Sequence, residues 1–331
     1  MKRYLKKFSL ASLAMVFLTG ASFALAADTD SITIKLGMVD PDGSNYHKGA
    51  LGIAEEVDKA TNGRVKIQVL PGSQLGNERD MYEGAQMGTI EMFVSANAVM
   101  TNFIPEMVVL DQPFLFANAD QAHRVIDGKL GALINQKTQA QGLRVVGWME
   151  SGFRNVFSSR PVANIGDFSG LKIRTMENKL HMAAFNALGA IATPMASGEV
   201  FTALQQKTID AAENAIANVI ANRYYEITKN ITFTNHVFVF MGVIVSDKTW
   251  QRIPADLRDK FTAAVKAGCD RQRQMLVDAN TAAEKELRGM GVKFFEIPPE
   301  QLAAKVAPAI QPFAASMSKE WIDAINADKG K

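Results

Sequence analysis

Two arginines in strand-like settings carry the first chemistry to be explained. Arg154 lies in Gly152-Phe153-Arg154-Asn155-Val156-Phe157, and Arg174 in Gly170-Leu171-Lys172-Ile173-Arg174-Thr175, a short strand after a Ser-Gly turn. A guanidinium stays charged in a protein and presents a rigid planar fork, so a partly buried one requires a carboxylate or phosphate. That anion comes from the protein itself or from a ligand. The ordinary alternative is a surface arginine whose stem covers apolar atoms while its head stays wet. Spacing alone leaves both readings open.

Catalytic constellations are missing from the sequence. It has no His-Glu-x-x-His, Cys-x-x-Cys, Gly-x-Ser-x-Gly or Walker loop, and no Gly-x-Gly-x-x-Gly after a strand. His47, His123, His181 and His236 are scattered without ligand spacing, and Glu55, Glu56 and Asp58 form a solvated helix face. The expectation is a binding protein and not an enzyme, with no metal and no cofactor.

The elements that must position the arginines begin after an export leader. Lys2, Arg3, Lys6 and Lys7 precede an apolar run from Leu10 to Leu25, and Ala24-Leu25-Ala26 gives a small-x-small site, so cleavage is expected after Ala26. The run is interrupted by Ser12, Thr19, Gly20 and Ser22 and is marginal for spanning a bilayer, and no cysteine follows it to take a lipid. A periplasmic protein without membrane insertion is expected. The whole chain has 36 basic and 34 acidic residues; removing the leader's four basic residues leaves 32 against 34. A slightly acidic mature protein gives no nucleic-acid footprint. Cys269 has no partner, so the fold rests on its core.

Ile32, Ile34, Leu36 and Met38 alternate as a half-buried strand that ends in the turn Val39-Asp40-Pro41-Asp42-Gly43. Ser44 then caps a helix with Ala50, Ile53, Ala54, Val57 and Ala60 in register, and Arg64 to Leu70 alternates again. This βαβ unit predicts a mainly parallel sheet. Ligands of such sheets sit beyond the carboxyl ends of the strands, which puts Val39, Asp40 and the segment after Pro71 on the cleft side. A helix from Arg79 to Met87 leads to a strand Ile90–Val94, and the small polar residues after it make Asn97 a candidate contact. Val108 to Phe116, Trp148 and Phe153 read as core or hinge packing. Further predictions are one helix from Asp120 to about Gln139, a strand from Leu143 to Trp148, a strand within Asn235–Ser246, and a helix from Pro254 to about Leu287. Ile310, Phe313, Met317, Trp321 and Ile325 form a final helical stripe.

Five blocks in chain order resemble the solute-binding proteins of tripartite ATP-independent periplasmic (TRAP) transporters, DctP type. They are Pro71-Gly72-Ser73-Gln74-Leu75-Gly76, Gly152-Phe153-Arg154, Leu171-Lys172-Ile173-Arg174, Ala187-Leu188-Gly189-Ala190 with Pro194-Met195, and Glu199 to Gln205 running on to Glu213-Asn214. The resemblance implies a periplasmic-binding-protein-like α/β fold, with two α/β lobes, a hinge, and a long helix crossing both. Lobe I would comprise 27–151 plus 241–279, and lobe II 152–240 plus 280–328. It also implies that Arg174 is the main partner of a substrate carboxylate, Arg154 a second cation near it, and Asn214 an amide on the same group. The segment Gly76 to Glu78 would lie beside the ligand, so that Asp40 and Glu78 accept from substrate hydroxyls. For Glu78 a place near a helix N-terminus is the better explanation of the carboxylate. Ser197 lies where the family lines its pocket. One departure stands out: the family follows Gly-Gln-Glu-Asn with proline, whereas this chain has Ala211, Ala212 and, after Asn214, Ala215. Proline at a helix start presets the backbone, so the departure bears on the aim of Asn214.

The expected function is capture of an organic acid by hinge closure and delivery to the small and large membrane subunits of a TRAP transporter, by a monomer. A sugar acid or hydroxy acid is the first choice, and a C4-dicarboxylate or an aromatic acid the alternative. Readings from other classes are an exported enzyme or a chemosensory ligand sensor on the same fold.

Overall fold

The computed structural model describes residues 31–330; the expected export leader therefore lies outside the described residues. Among the described residues eleven strands and twelve α-helices follow one another. The order is β1 (Ile32–Gly37), α1 (Asn45–Ala60), β2 (Val65–Leu70), α2 (Glu78–Gln86), β3 (Met92–Ala96), α3 (Asn97–Met100), α4 (Ala119–Asp127), α5 (Lys129–Gln139), β4 (Leu143–Phe153), β5 (Asn155–Ser158) and β6 (Lys172–Thr175). Then come α6 (Lys179–Ala187), β7 (Ile191–Pro194), α7 (Val200–Gln205), β8 (Ala211–Asn214), α8 (Ile216–Ala221), β9 (Asn230–Phe233), β10 (Phe238–Ser246), α9 (Asp247–Arg252), α10 (Arg258–Gly289), β11 (Lys293–Glu296), α11 (Pro299–Ala314) and α12 (Lys319–Lys329).

The strands form two sheets, in the orders β2-β1-β3-β10-β4 and β11-β9-β5-β8-β6-β7. The first contains the expected βαβ unit, with β1 and β2 parallel in register from Ile32 opposite Val65 to Gly37 opposite Leu70. Alternation along β1 buries Ile34 and Leu36, and Ser44 caps α1 by accepting from the His47 N–H at 3.1 Å. One face of this sheet packs on α1 and α10 through Ile53, Val57, Phe261 and Val265. The other packs on α2, α4, α5 and α12 around Phe93, Phe240, Trp148 and Trp321. The second sheet is likewise covered on two faces, by Phe185 and Leu302 from α6 and α11, and by Val219, Ala283 and Leu287 from α8 and α10.

α10 is thus common to both layers, with Phe261 and Val265 in the first core and Ala283 and Leu287 in the second. Its 32 residues span roughly 48 Å at the α-helical rise. The crossing of α1 over α10 is close because residue 268 is glycine: a Cβ there would stand 2.7 Å from the Ile53 Cα.

Several boundaries differ from the sequence reading. The helix expected over Asp120–Gln139 is two helices, α4 and α5, broken at Gly128. A Cβ on Gly128 would meet an Asp328 carboxylate oxygen at 2.2 Å, so glycine is what lets the C-terminal helix dock there. The final apolar stripe is also two helices serving different cores. Ile310 packs with the α6 cluster, whereas Trp321 and Ile325 join Phe93 and Ile126 beneath the first sheet. Residues 319–328, grouped by sequence with the second lobe, therefore pack with the first sheet. β10 pairs with β4 along its whole length, from Phe238 opposite Phe153, so the return to the first sheet comes at 234–237 and not near Met241.

Candidate functional site

A single residue, Arg154, separates β4 of the first sheet from β5 of the second. Its backbone N–H donates to Val237 O at 3.0 Å, on the returning strand connection. The side chain is 4% exposed, and all its donors have protein acceptors. Nε and Nη2 hold the two Glu213 carboxylate oxygens at 2.5 and 2.9 Å, Nη2 also reaches Glu213 O, and Nη1 donates to Ser151 Oγ at 3.2 Å and Asn214 Oδ1 at 2.8 Å. Register explains the meeting: β5 and β8 pair antiparallel with Asn155 opposite Asn214 and Val156 opposite Glu213. His236 Nε2 lies 3.3 Å from the same carboxylate. Burial alone would push the Glu213 carboxyl up, but the Arg154 charge and the bonds from His236 and Arg154 outweigh it and hold it well below the usual range.

Arg174 presents the opposite case. β6 pairs with β7, which brings the Met195 carbonyl to the guanidinium, and Nε and Nη2 both donate to that one oxygen, at 2.8 and 2.6 Å. Among the described residues no carboxylate lies within ion-pair distance of Arg174, although it is 4% exposed. Burial lowers its pKa, partly offset by the more distant Glu213. A buried, singly accepted guanidinium retains the fork that a planar anion fits.

The carboxylates around it come from the carboxyl ends of the first sheet. Asp40 follows β1, its loop held by Gly72 N–H to Asp40 O at 2.7 Å and Ser73 N–H to Met38 O at 3.0 Å. Burial and then the neighbouring Glu78 charge push the Asp40 carboxyl up to about 7, against a pull from Arg154. Glu78 is the first residue of α2, behind an Asn77–Asp80 capping box. Its carboxylate nonetheless reaches across to the Ala96 N–H at 2.6 Å, at the end of β3. Burial raises its pKa, opposed by that N–H and by Arg174 and Arg154. Asp40, Glu78, Arg154 and Arg174 thus share one electrostatic neighbourhood, as does Asn214 through Arg154. Ser197 lies beside the Tyr224 hydroxyl, itself pushed up to about 12 by burial.

Two sequence candidates sit differently. Asn97 is fully buried with both ends of its amide committed: Nδ2 donates to Asp111 at 2.9 Å and Oδ1 accepts from the Phe240 N–H at 2.9 Å. It ties α3 to the returning strand. The Val39 side chain packs into the core with Met81 and Phe93. Residues passed over by the sequence reading complete the neighbourhood: Tyr46 from α1, whose hydroxyl accepts from Asn218 at 2.8 Å, Ser151, and Asn218 from α8. The need of a buried Arg154 for a carboxylate could have pointed to Glu213, the acid next to Asn214 in its motif block. Nothing in the sequence marks Tyr46 or Asn218. Among the described residues no group of three or more His, Cys, Asp or Glu is placed to hold a metal ion, and no helix is long and apolar enough to cross a membrane.

The fold recurs in known proteins. A solved TRAP periplasmic solute-binding protein from Polaromonas sp. JS666, bound to D-erythronate, superposes with a TM-score of 0.86 at 36% identity, covering 90% of this chain and 99% of that one. The sugar acid binding protein DctPAm from Advenella mimigardefordensis, in complex with galactonate, gives 0.88 at 31% identity over 92% and 99%. The C4-dicarboxylate-binding periplasmic protein DctP of Rhodobacter capsulatus is 30% identical over 95% of this chain and 96% of its own length. The family model of DctP, bacterial extracellular solute-binding protein, family 7, matches residues 36–320. With the two covered sheets, the shared long helix and the buried arginines in place, the chain belongs to the DctP family of TRAP solute-binding proteins.

Proposed function

We propose that this protein captures an organic acid anion between two lobes, each built on one sheet, and delivers it to the membrane subunits of a TRAP transporter. The observation that carries the reading is Arg174: a buried guanidinium whose only acceptor among the described residues is the Met195 carbonyl. A ligand carboxylate placed on its fork gains a charge-assisted bidentate pair in a desolvated cleft. Asn214 holds the same carboxylate, and Arg154, engaged with Glu213, frames it. Asp40 and Glu78 take ligand hydroxyls as hydrogen-bond acceptors, with Ser197 at the pocket wall. Two carboxyl groups opposite a cation that has no carboxylate partner among the described residues suit a hydroxylated monoacid better than a second carboxylate, so the solute is a sugar acid or hydroxy acid. The erythronate and galactonate held by the two solved relatives support that choice. A C4-dicarboxylate, as named for the Rhodobacter relative, is the second reading.

In this proposal the lobes close about Arg154 and 234–237 with α10 spanning both, the last helix belongs to lobe I, and the protein works as a periplasmic monomer after cleavage at Ala26. It binds its solute without converting it; recovery of chemically altered ligand would favour the enzyme, and capture by a receptor instead of transporter subunits the sensor. A thermal-shift screen of the chain lacking Met1 to Ala26 tests the reading. A ligand at about a hundred times its Kd adds roughly 2.7 kcal/mol to the folded state. Stabilisation by sugar acids or hydroxy acids is expected; stabilisation by C4-dicarboxylates alone selects the second reading, and none by any organic acid refutes both.

A further inference from the structure

The amide of Asn214 is held by one end only. Its oxygen accepts from Arg154 Nη1 at 2.8 Å, from the Ala215 N–H at 2.8 Å and from Asn218 Nδ2 at 2.9 Å, with Ser151 Oγ at 3.4 Å. A guanidinium nitrogen and a backbone N–H can only donate, so these partners decide which end of the amide faces them. The Asn214 NH2 donates to no described residue.

Two of those donors are peculiar in a way that bears on function. The Ala215 N–H exists because residue 215 is not proline, which has no N–H to give. Ala215 nevertheless has φ −66°, the angle proline adopts. Asn218, buried on α8, divides its own NH2 between Asn214 Oδ1 and the Tyr46 hydroxyl at 2.8 Å, and leaves its oxygen buried without a partner. An unsatisfied buried acceptor is costly. Turning the Asn218 amide over would set its oxygen against that of Asn214, which explains why the costly orientation persists.

We propose that Ala215, through its backbone N–H, and Asn218, through its side-chain NH2, are positioning residues that turn the Asn214 amide so that its NH2 faces the ligand carboxylate. This rests on the carboxylate reading above. Asn214 touches the ligand; Ala215 and Asn218 act only through it. An amide turned the other way would present an oxygen to an anion and repel it.

Double-mutant cycles on the whole mature chain test the assignment, with D-erythronate and galactonate as probes and Kd measured by calorimetry. Asn218→Ala and Ala215→Pro each weaken binding about 10-fold in the wild-type background, and each changes it less than about twofold once Asn214 is alanine. A merely structural role would weaken binding equally in both backgrounds, and that result overturns the proposal. If Asn218→Ala unfolds the protein, Ala215→Pro carries the cycle alone, since the 215 N–H serves no other bond. Arg174→Ala is the control. Its loss of binding together with additive cycles sinks the positioning role and leaves the carboxylate reading standing, whereas a wild-type protein that binds neither probe nor any other organic acid overturns both.

Discussion

Asn178, at the start of α6 beside the second sheet, donates its side-chain NH2 to the Asp111 carboxylate at 2.6 Å, beneath the first sheet. Asp111 is fully buried and also takes Asn97 Nδ2 at 2.9 Å and Thr101 Oγ1 at 2.7 Å, while Asn178 reaches Ala98 O at 3.1 Å and caps α6 through the Leu180 and His181 N–H groups at 3.0 Å. One asparagine therefore both starts a helix and fastens the two halves together. Burial pushes the Asp111 carboxyl up to about 6 against these three hydrogen bonds. Asn178→Ala removes the cap and strands a buried acceptor; a loss of about 2 to 4 kcal/mol in urea unfolding is expected. A change below about 0.5 kcal/mol would mean that water replaces the amide.

Arg174→Ala should weaken binding of the organic acid by about 30-fold to several thousand-fold, the 2 to 5 kcal/mol typical of losing one member of a buried charged pair. Arg174→Lys should recover only part of it, because an ammonium cannot hold Met195 O on one edge, as Nε and Nη2 now do, and present a second planar edge with Nη1 to the ligand. Calorimetric titration decides; full recovery with lysine would show that charge without geometry suffices.

Glu213→Gln should destabilise the protein whether or not ligand is present, by roughly 3 to 5 kcal/mol, since Arg154 would be left buried without its anion. The pair's pH dependence follows from the depressed Glu213 carboxyl. Its stabilisation is complete above the ordinary value of 4.5 and is lost only as pH falls through the lower folded value. Guanidinium unfolding at pH 7 and pH 4 should show a penalty for Glu213→Gln at both; a penalty confined to pH 7 would contradict the depressed value.

Asp40→Asn should act in the reverse direction. An acid whose pKa rises on folding, here from 3.8 to about 7, contributes stability that is complete below the unfolded value and lost as pH rises through the folded one. At pH 8 the wild-type ligand-free protein carries a buried anion, so Asp40→Asn should raise its unfolding free energy, by on the order of a few kcal/mol. At pH 4 the gain should vanish. Equal stability of the two proteins at pH 8 would show that Asp40 ionises without cost.

The fold was legible where a local period decides the outcome. Ile32, Ile34 and Leu36 alternate because one sheet face is buried, and Ala50, Ile53 and Val57 repeat helically because α1 lies on α10. Legibility failed where a distant segment decides. Gly128 breaks a helix to admit Asp328, two hundred residues away in the chain. Asn97 carries the same signal, a small polar residue after a strand, whether it meets a ligand or Asp111. The arginines divide in the same way. Sequence marked both as needing an anion, but only the pairing of β5 with β8 reveals that Arg154 already has one in Glu213, whereas among the described residues Arg174 meets only the Met195 carbonyl.

The path of the chain has a consequence for how such a protein can be taken apart or recombined. It passes between the halves at Arg154, again at 234–237, along α10, and once more between α11 and α12. No single cut releases either half as one fragment. A piece ending at residue 151 would lack β10, the strand seated between β3 and β4, and would leave those two unjoined. A gene exchange that replaced one half with a relative's would need several matched breakpoints at once. A point substitution in either half meets no such requirement.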